Sequence, residues 1–150
     1  MKINLSECFI TNEEIRSVSK VIKSGWLATG KITKKFEDAC KKKIGCKEAI
    51  ATNSCTNGIN AVLHALKLKP GDEVITSPLT YISTINNLYN FGLKIKFIDI
   101  NKNNYCIDLD LLKKAINKKT KCILITHYGG VPCDTEEVLK IINKKKNIFN

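Results

Sequence analysis

Three times along this chain a short apolar run and a helical pattern succeed one another, and that alternation restricts the folds open to it more than any other feature. Ala49, Ile50 and Ala51 read as a short buried strand, after which Ile59, Val62, Leu63 and Leu66 fall at i, i+3, i+4 and i+7, one face of a helix. Lys69-Pro70-Gly71-Asp72 then punctuates the chain before a second strand, Glu73-Val74-Ile75-Thr76. From Thr80 a helical pattern sets Ile82, Ile85 and Tyr89 on one side and stops at Gly92, and residues 94–100 alternate Ile95, Phe97 and Ile98 with polar residues as a strand does. Asp108 caps a helix carrying Leu111, Leu112, Ala115 and Ile116, and Cys122-Ile123-Leu124-Ile125 is an apolar strand ending at His127. Asp134 caps a last helix through Val138, Leu139, Ile141 and Ile142, before the chain closes at Ile148-Phe149-Asn150. Strands alternating with helices at this spacing predict an α/β fold with a mostly parallel sheet. In such sheets ligands gather beyond the carboxyl ends of the strands, here residues 53–58, 77–81, 99–101 and 127–134.

Ahead of the first expected strand, Thr11-Asn12-Glu13-Glu14 is a capping box, and Ile15, Val18, Val21 and Ile22 follow on one helical face until Gly25. Gly25-Trp26-Leu27-Ala28-Thr29-Gly30 is a loop, and a second helix carries Phe36, Ala39, Cys40 and Ile44 to Gly45. Trp26 is either a core anchor or a residue lining a site. The two leading helices are expected to form an arm packed on the domain or on a neighbouring chain.

At 150 residues with 43% hydrophobic content, the chain is long enough for one domain with a real core. The formal charge of +11 is carried almost wholly by scattered lysines, with Arg16 the single arginine, so the forked donors that read phosphates and base edges are missing and nucleic acid is not the expected partner. Seven cysteines show no C-x-x-C pair and no zinc spacing, so no metal is expected. The odd cysteine count and the want of a signal peptide point to a reducing cytoplasm, with several cysteines as small core residues. No apolar run reaches the ~20 residues of a membrane span.

The turn at Thr52-Asn53-Ser54-Cys55-Thr56-Asn57-Gly58 carries the most chemistry. A strand that breaks directly into a helix leaves the first helical N–H groups unpaired and aims the positive end of the helix dipole outward, a natural anion seat, to which Ser54 and Thr56 add two hydroxyls. The plain alternative is that these residues only cap the helix. On the same rim stand Thr80 and Tyr81, Asp99, and His127-Tyr128 before a glycine pair. His127 reads either as a structural group or a functional one, and Asp99 as a carboxylate partner or a turn residue. Together these parts suit a flat, phosphorylated ligand, with the phosphate on the helix N-terminus and an aromatic face stacked on a ring. A dinucleotide is the competitor, but G-x-G-x-x-G and the P-loop are both missing.

Gly25-Trp26-Leu27-Ala28-Thr29-Gly30, Asn53-Ser54-Cys55-Thr56-Asn57-Gly58, Pro70-Gly71-Asp72-Glu73-Val74-Ile75-Thr76, Thr80-Tyr81-Ile82-Ser83-Thr84, Phe97-Ile98-Asp99-Ile100 and His127-Tyr128-Gly129-Gly130-Val131-Pro132-Cys133-Asp134 follow one another in the order and spacing of a known family. Over nearly its whole length the chain resembles the DegT/StrS-type sugar aminotransferases. The resemblance implies a three-layer α/β fold like the large domain of fold-type I pyridoxal-phosphate-dependent transferases, with residues 1–30 as an arm helix and loop and 31–150 as the N-terminal, incomplete part of that domain. It also implies pyridoxal 5′-phosphate as cofactor and transfer of an amino group from glutamate to a nucleotide-linked keto sugar, in amino-sugar or surface-polysaccharide biosynthesis, by a homodimer. Carried over residue by residue, the phosphate-binding turn falls on Ser54, Thr56 and Asn57 and the stacking aromatic on Tyr81. Trp26 and Thr29 fall near the sugar-nucleotide site. Cys55 stands where glycine is the usual family residue, and His127 matches the motif without an assigned role.

The chemistry of that family also needs a Schiff-base lysine and an acid that keeps the pyridine nitrogen protonated. No lysine of this chain, including Lys144, Lys145 and Lys146, occupies the matching place, so the chain reads as the N-terminal part of a longer protein or the product of an interrupted frame. The catalytic set is therefore empty here, and the 150 residues alone are expected to be inactive. Two alternatives stand beside the aminotransferase: a sugar dehydratase using the same cofactor, and a non-catalytic product that keeps only a docking surface.

Overall fold

The computed structural model describes residues 7–145; Lys146 and the closing Ile148-Phe149-Asn150 lie outside the described residues. The chain forms two compact units, Met1–Ala51 and Thr52–Asn150.

The first unit holds two helices. Helix α1, Asn12–Lys23, starts at the expected capping box: Thr11 Oγ1 accepts from Glu13 N–H, and the Glu14 carboxylate reaches back to the Thr11 N–H at 2.7 Å. That bonding, led by the Thr11 hydroxyl, lowers the Glu14 pKa. Helix α2, Lys31–Ile44, ends at Gly45 in the left-handed region, as expected of a glycine past a helix end. The apolar faces read from the sequence are real but uncovered among the described residues, with Ile15, Val18, Ile22, Phe36 and Ile44 all more than half exposed. The expected strand at Ala49, Ile50 and Ala51 does not form. A strand exists through its ladder, and none of these residues pairs with another strand among the described residues; instead the Ala51 N–H donates to Glu37 Oε1 at 3.0 Å, and Ile50 is exposed.

The second unit is a three-layer α/β sandwich. Its helices and strands run α3 (Cys55–Ala65), β1 (Glu73–Thr76), α4 (Ile82–Asn90), β2 (Lys94–Phe97), α5 (Leu109–Ala115), β3 (Thr120–Leu124) and α6 (Thr135–Lys144). All pairing between the strands is parallel, in the order β2-β1-β3. The chain moves one way from β1 to β2 and the other way from β2 to β3. Crossovers of one hand then put α4 and α5 on opposite faces. Alternation along β1 divides the core accordingly: Val74 packs with Leu63 of α3 and Leu88 of α4, while Ile75 packs with Leu112 of α5 and Val138 and Ile141 of α6.

Two expectations need correction here. The buried face of α4 is Thr84 and Leu88; Ile82 and Tyr89 are exposed. Threonine reads as polar in a periodicity count, but the Thr84 hydroxyl has a partner in Thr80 Oγ1 at 3.2 Å and so is buried readily. The strand expected over 94–100 stops at Phe97, because Asp99 Oδ1 accepts the Ile100 N–H at 2.8 Å and bends the chain. Ile100 then makes an isolated antiparallel bridge with Ile107. The caps at Asp108 and Asp134 form as read, accepting from the N–H groups of Leu111 and Glu137.

Candidate functional site: the amino end of helix α3 and the loops at the strand ends

Helix α3 begins at the turn the sequence singled out. Ser54 is its N-cap, extended at φ −161°, and its Oγ accepts the Asn57 N–H at 3.2 Å, while the Gly58 N–H closes on the Ser54 carbonyl at 3.0 Å. The N–H groups of Cys55 and Thr56 have no hydrogen-bond partner among the described residues, as the first positions of a helix require. The loop folds back on the helix through Thr52, whose Oγ1 donates to the Ser54 carbonyl at 2.9 Å and lies where a Cβ on residue 58 would meet it at 3.3 Å. Asn57 does not present its amide freely: its Nδ2 donates to Asn53 Oδ1 at 2.7 Å.

Capping and anion binding were alternatives in the sequence, and the geometry makes them compatible. A hydroxyl accepts through a lone pair and donates through its proton. Ser54 uses an acceptor site for the Asn57 N–H; its proton has only Asn53 Oδ1 at 3.5 Å, the outer limit of a hydrogen bond. The turn therefore has two backbone N–H groups, the Ser54 hydroxyl and the Thr56 hydroxyl to offer an anion, together with the helix dipole.

Tyr81 stands at the amino end of α4 and the residue is 77% exposed, which leaves its ring accessible for stacking. Its backbone is held firmly. Leu79 N–H donates to Ser77 Oγ, Thr84 N–H to the Tyr81 carbonyl, and a hydroxyl chain runs from Thr126 to Thr80 to Thr84, with each step 3.2 Å. Helices α3 and α4 flank the same face of the sheet and both run against the strands, so their amino ends lie at its carboxyl edge. At that edge, on the face shared with Val74, Thr76 Oγ1 is fully buried and has no hydrogen-bond partner among the described residues.

Of the remaining expected residues, His127 takes the structural reading: its Nδ1 accepts the Cys133 N–H at 2.9 Å, closing the loop between β3 and α6. Asp99 is a turn residue. Cys133, bonded to His127, is buried and its thiol donates to the Thr126 carbonyl at 3.1 Å; burial first, and then the neighbouring Cys106 thiol, push its pKa up to about 11. Trp26 and Thr29 lie in the first unit. Trp26 is 65% exposed, which removes the core-anchor reading. Its Nε1 donates to the Thr29 carbonyl at 3.3 Å, folding the indole over Gly30, where a Cβ would stand 2.5 Å from that nitrogen. The indole borders a hollow of about 680 Å³ with Val21, Leu27 and Ile32.

Sequence reasoning passed over Asn87 and Thr76. Asn87 Nδ2 donates to the Thr56 carbonyl at 2.7 Å, tying α4 to the first turn of α3. The available signal was the Asn86-Asn87 pair inside a helical pattern, two poor helix formers where leucine or alanine serves better. For Thr76 the signal was a hydroxyl at the end of an otherwise apolar strand.

The fold and this turn define an α/β protein with a parallel sheet and an open helix head at its carboxyl edge. The chain belongs to the DegT/DnrJ/EryC1/StrS aminotransferase family, whose match covers residues 9–149. It is similar to the spore coat polysaccharide biosynthesis protein SpsC of Bacillus subtilis (strain 168), 40% identical over 132 residues, 88% of this chain and 34% of that protein. Among solved structures it resembles the putative sugar aminotransferase Spr1654 from Streptococcus pneumoniae in its PMP form, with a TM-score of 0.94, 31% identity, and coverage of 100% of this chain and 38% of that one. It also resembles the E. coli GDP-4-keto-6-deoxy-D-mannose-3-dehydratase with bound hydrated PLP, with a TM-score of 0.87, 30% identity, and coverage of 93% and 37%. The chain thus spans little more than a third of the length of these relatives. Pyridoxal phosphate is the cofactor of the family so indicated. Among the described residues no helix is long and apolar enough to cross a membrane.

Proposed function

We propose that this chain carries the cofactor-phosphate seat of a pyridoxal-phosphate-dependent aminotransferase that moves an amino group from glutamate to a nucleotide-linked keto sugar, in the synthesis of amino sugars for surface polysaccharide. The observation that carries the reading is the first turn of α3, with two unpartnered N–H groups and two hydroxyls, in a chain of this family. Ser54 and Thr56 bind the phosphate through their hydroxyls and the adjoining N–H groups. Asn57 donates its N–H to the Ser54 cap and its side-chain amide to Asn53 Oδ1, which holds the turn in shape. Tyr81 stacks on the pyridine ring from the head of α4. The orphaned Thr76 hydroxyl at the same edge of the sheet fits a polar occupant better than an apolar one. When bound, the cofactor supplies a ring that draws electrons from the carbon bearing the amine. Trp26 and Thr29 contact the sugar nucleotide, supported by the open indole and the hollow beside it. Residues 1–30 act as an arm on a domain that begins at residue 31, and the uncovered apolar face of α1 supports the arm's burial in a homodimer in the cytoplasm.

Similarity to the dehydratase favours a second reading, in which the same cofactor assists loss of a sugar hydroxyl. Incubating the full-length protein with glutamate, pyridoxal phosphate and a nucleotide-linked keto sugar separates the two. The proposal expects one 2-oxoglutarate formed for each aminated sugar. A deoxygenated sugar without amination would assign the dehydratase, and neither product would overturn both.

A further inference from the structure

The peptide unit between Thr56 and Asn57 is gripped from both ends. Its N–H donates to Ser54 Oγ at 3.2 Å, and its carbonyl accepts Asn87 Nδ2, from α4, at 2.7 Å in a partly buried contact. Every other bond that closes this first turn is local, made between residues 52–58 of the same stretch, whereas Asn87 is 31 residues away on a neighbouring helix. The first turn of a helix is where the backbone is least constrained, since its leading N–H groups have no intrahelical partner. A bond from outside has its largest effect there.

We propose that Asn87 is a positioning residue for the anion seat, an inference that rests on reading the α3 turn as the phosphate site. Two consequences follow from the geometry. Fixing the plane of the 56–57 peptide fixes the Thr56 Cα at its edge and so narrows the positions open to the hydroxyl and the N–H that Thr56 presents. The bonds also form a continuous chain, from Asn87 Nδ2–H to the Thr56 carbonyl, through the peptide to the Asn57 N–H, and on to Ser54 Oγ. In such a chain each bond polarises the next. The last member is the Ser54 hydroxyl proton, which has only the long contact to Asn53 to compete with an anion. Asn87 thus orients one hydroxyl of the seat and makes the other a stronger donor without touching the ligand.

The test compares pyridoxamine 5′-phosphate with pyridoxamine, two probes that differ in the phosphate alone and carry no aldehyde to react with surface lysines. Affinities for both, and the thermal midpoint, are measured on the full chain and on Asn87→Leu and Asn87→Ser. The wild type is expected to prefer the phosphorylated probe, and each variant to lose roughly three- to tenfold of that preference, the scale of one hydrogen bond to a polar group. Pyridoxamine affinity stays within about twofold. A lowered midpoint with the preference intact would make Asn87 a mere tether between helices and overturn the inference while leaving the seat standing. A wild type indifferent to the phosphate would overturn the seat and this inference together. Should both variants fail to fold, the Asn87 side-chain amide resonances of the wild type decide: they are expected to move with pyridoxamine 5′-phosphate and not with pyridoxamine, and their indifference to the phosphorylated probe overturns the proposal.

Discussion

At Ser54 the helix cap and the proposed phosphate seat are compatible within one turn. Ser54 accepts from the helix with a lone pair and keeps its proton for a ligand, so the two readings of the sequence differ in what is measured rather than in where the atoms are. Thr56 makes the sharper probe, since its side chain has no hydrogen-bond partner among the described residues. Thr56→Val is expected to weaken pyridoxamine 5′-phosphate binding by about 1.5–3 kcal/mol, the range for a hydrogen bond to a charged group, with a small change in melting point. Unchanged affinity with a lowered melting point would reduce the turn to a cap. At Gly30 the limit is steric. The chain has one tryptophan, so one indole N–H resonance reports on it, and Gly30→Ala is expected to displace that resonance by driving Trp26 Nε1 off the Thr29 carbonyl. Because the indole is exposed, stability should change by about 1 kcal/mol or less. An unmoved resonance would contradict the packing of Trp26 over Gly30.

Between elements, the packing of α4 is the clearest departure from periodicity. Leu88→Ala is expected to cost about 2–5 kcal/mol by opening a cavity between α4 and β1, whereas Ile82→Ser, on the face that the sequence pattern favoured, should cost about 0.5 kcal/mol or less. Chemical denaturation of the two variants checks this, and equal losses would restore the face read from the sequence. Four caps were legible: Thr11, Ser54, Asp108 and Asp134 each satisfy helix N–H groups with a short side chain, a local interaction that a few residues specify. What the sequence did not carry was tertiary. Whether Ala49, Ile50 and Ala51 form a strand depends on a neighbour for the ladder, and whether Thr84 is buried depends on the hydroxyl that Thr80 brings to it.

For the whole molecule, the parallel sheet was readable because strands alternating with helices at this spacing leave few alternatives, and the three layers came with the family resemblance. The turn at the head of α3 was readable because a helix cap is a local interaction. The bond from Asn87 was not, since it joins residues 31 apart. Cysteine chemistry divides along the same lines of burial. Cys8, Cys46 and Cys55 are exposed and should react promptly with a thiol reagent, while Cys106 and Cys133 should react only on unfolding. The Cys133 thiol is held up to about 11 from an ordinary 9.0, so the folded state retains its proton where the unfolded chain has lost it. Its contribution is therefore complete below about pH 9 and is lost as pH rises through about 11. The slope of stability against pH over that window should lessen in Cys133→Ala, and an identical slope would count against the burial. The central claim, that the head of α3 receives the cofactor phosphate, is tested most directly by following backbone amide resonances while pyridoxamine 5′-phosphate is added. The account predicts the largest shifts at Cys55 and Thr56, the two unpartnered N–H groups, and much smaller ones with pyridoxamine; largest shifts at the head of another helix, or none at Cys55 and Thr56, would contradict it.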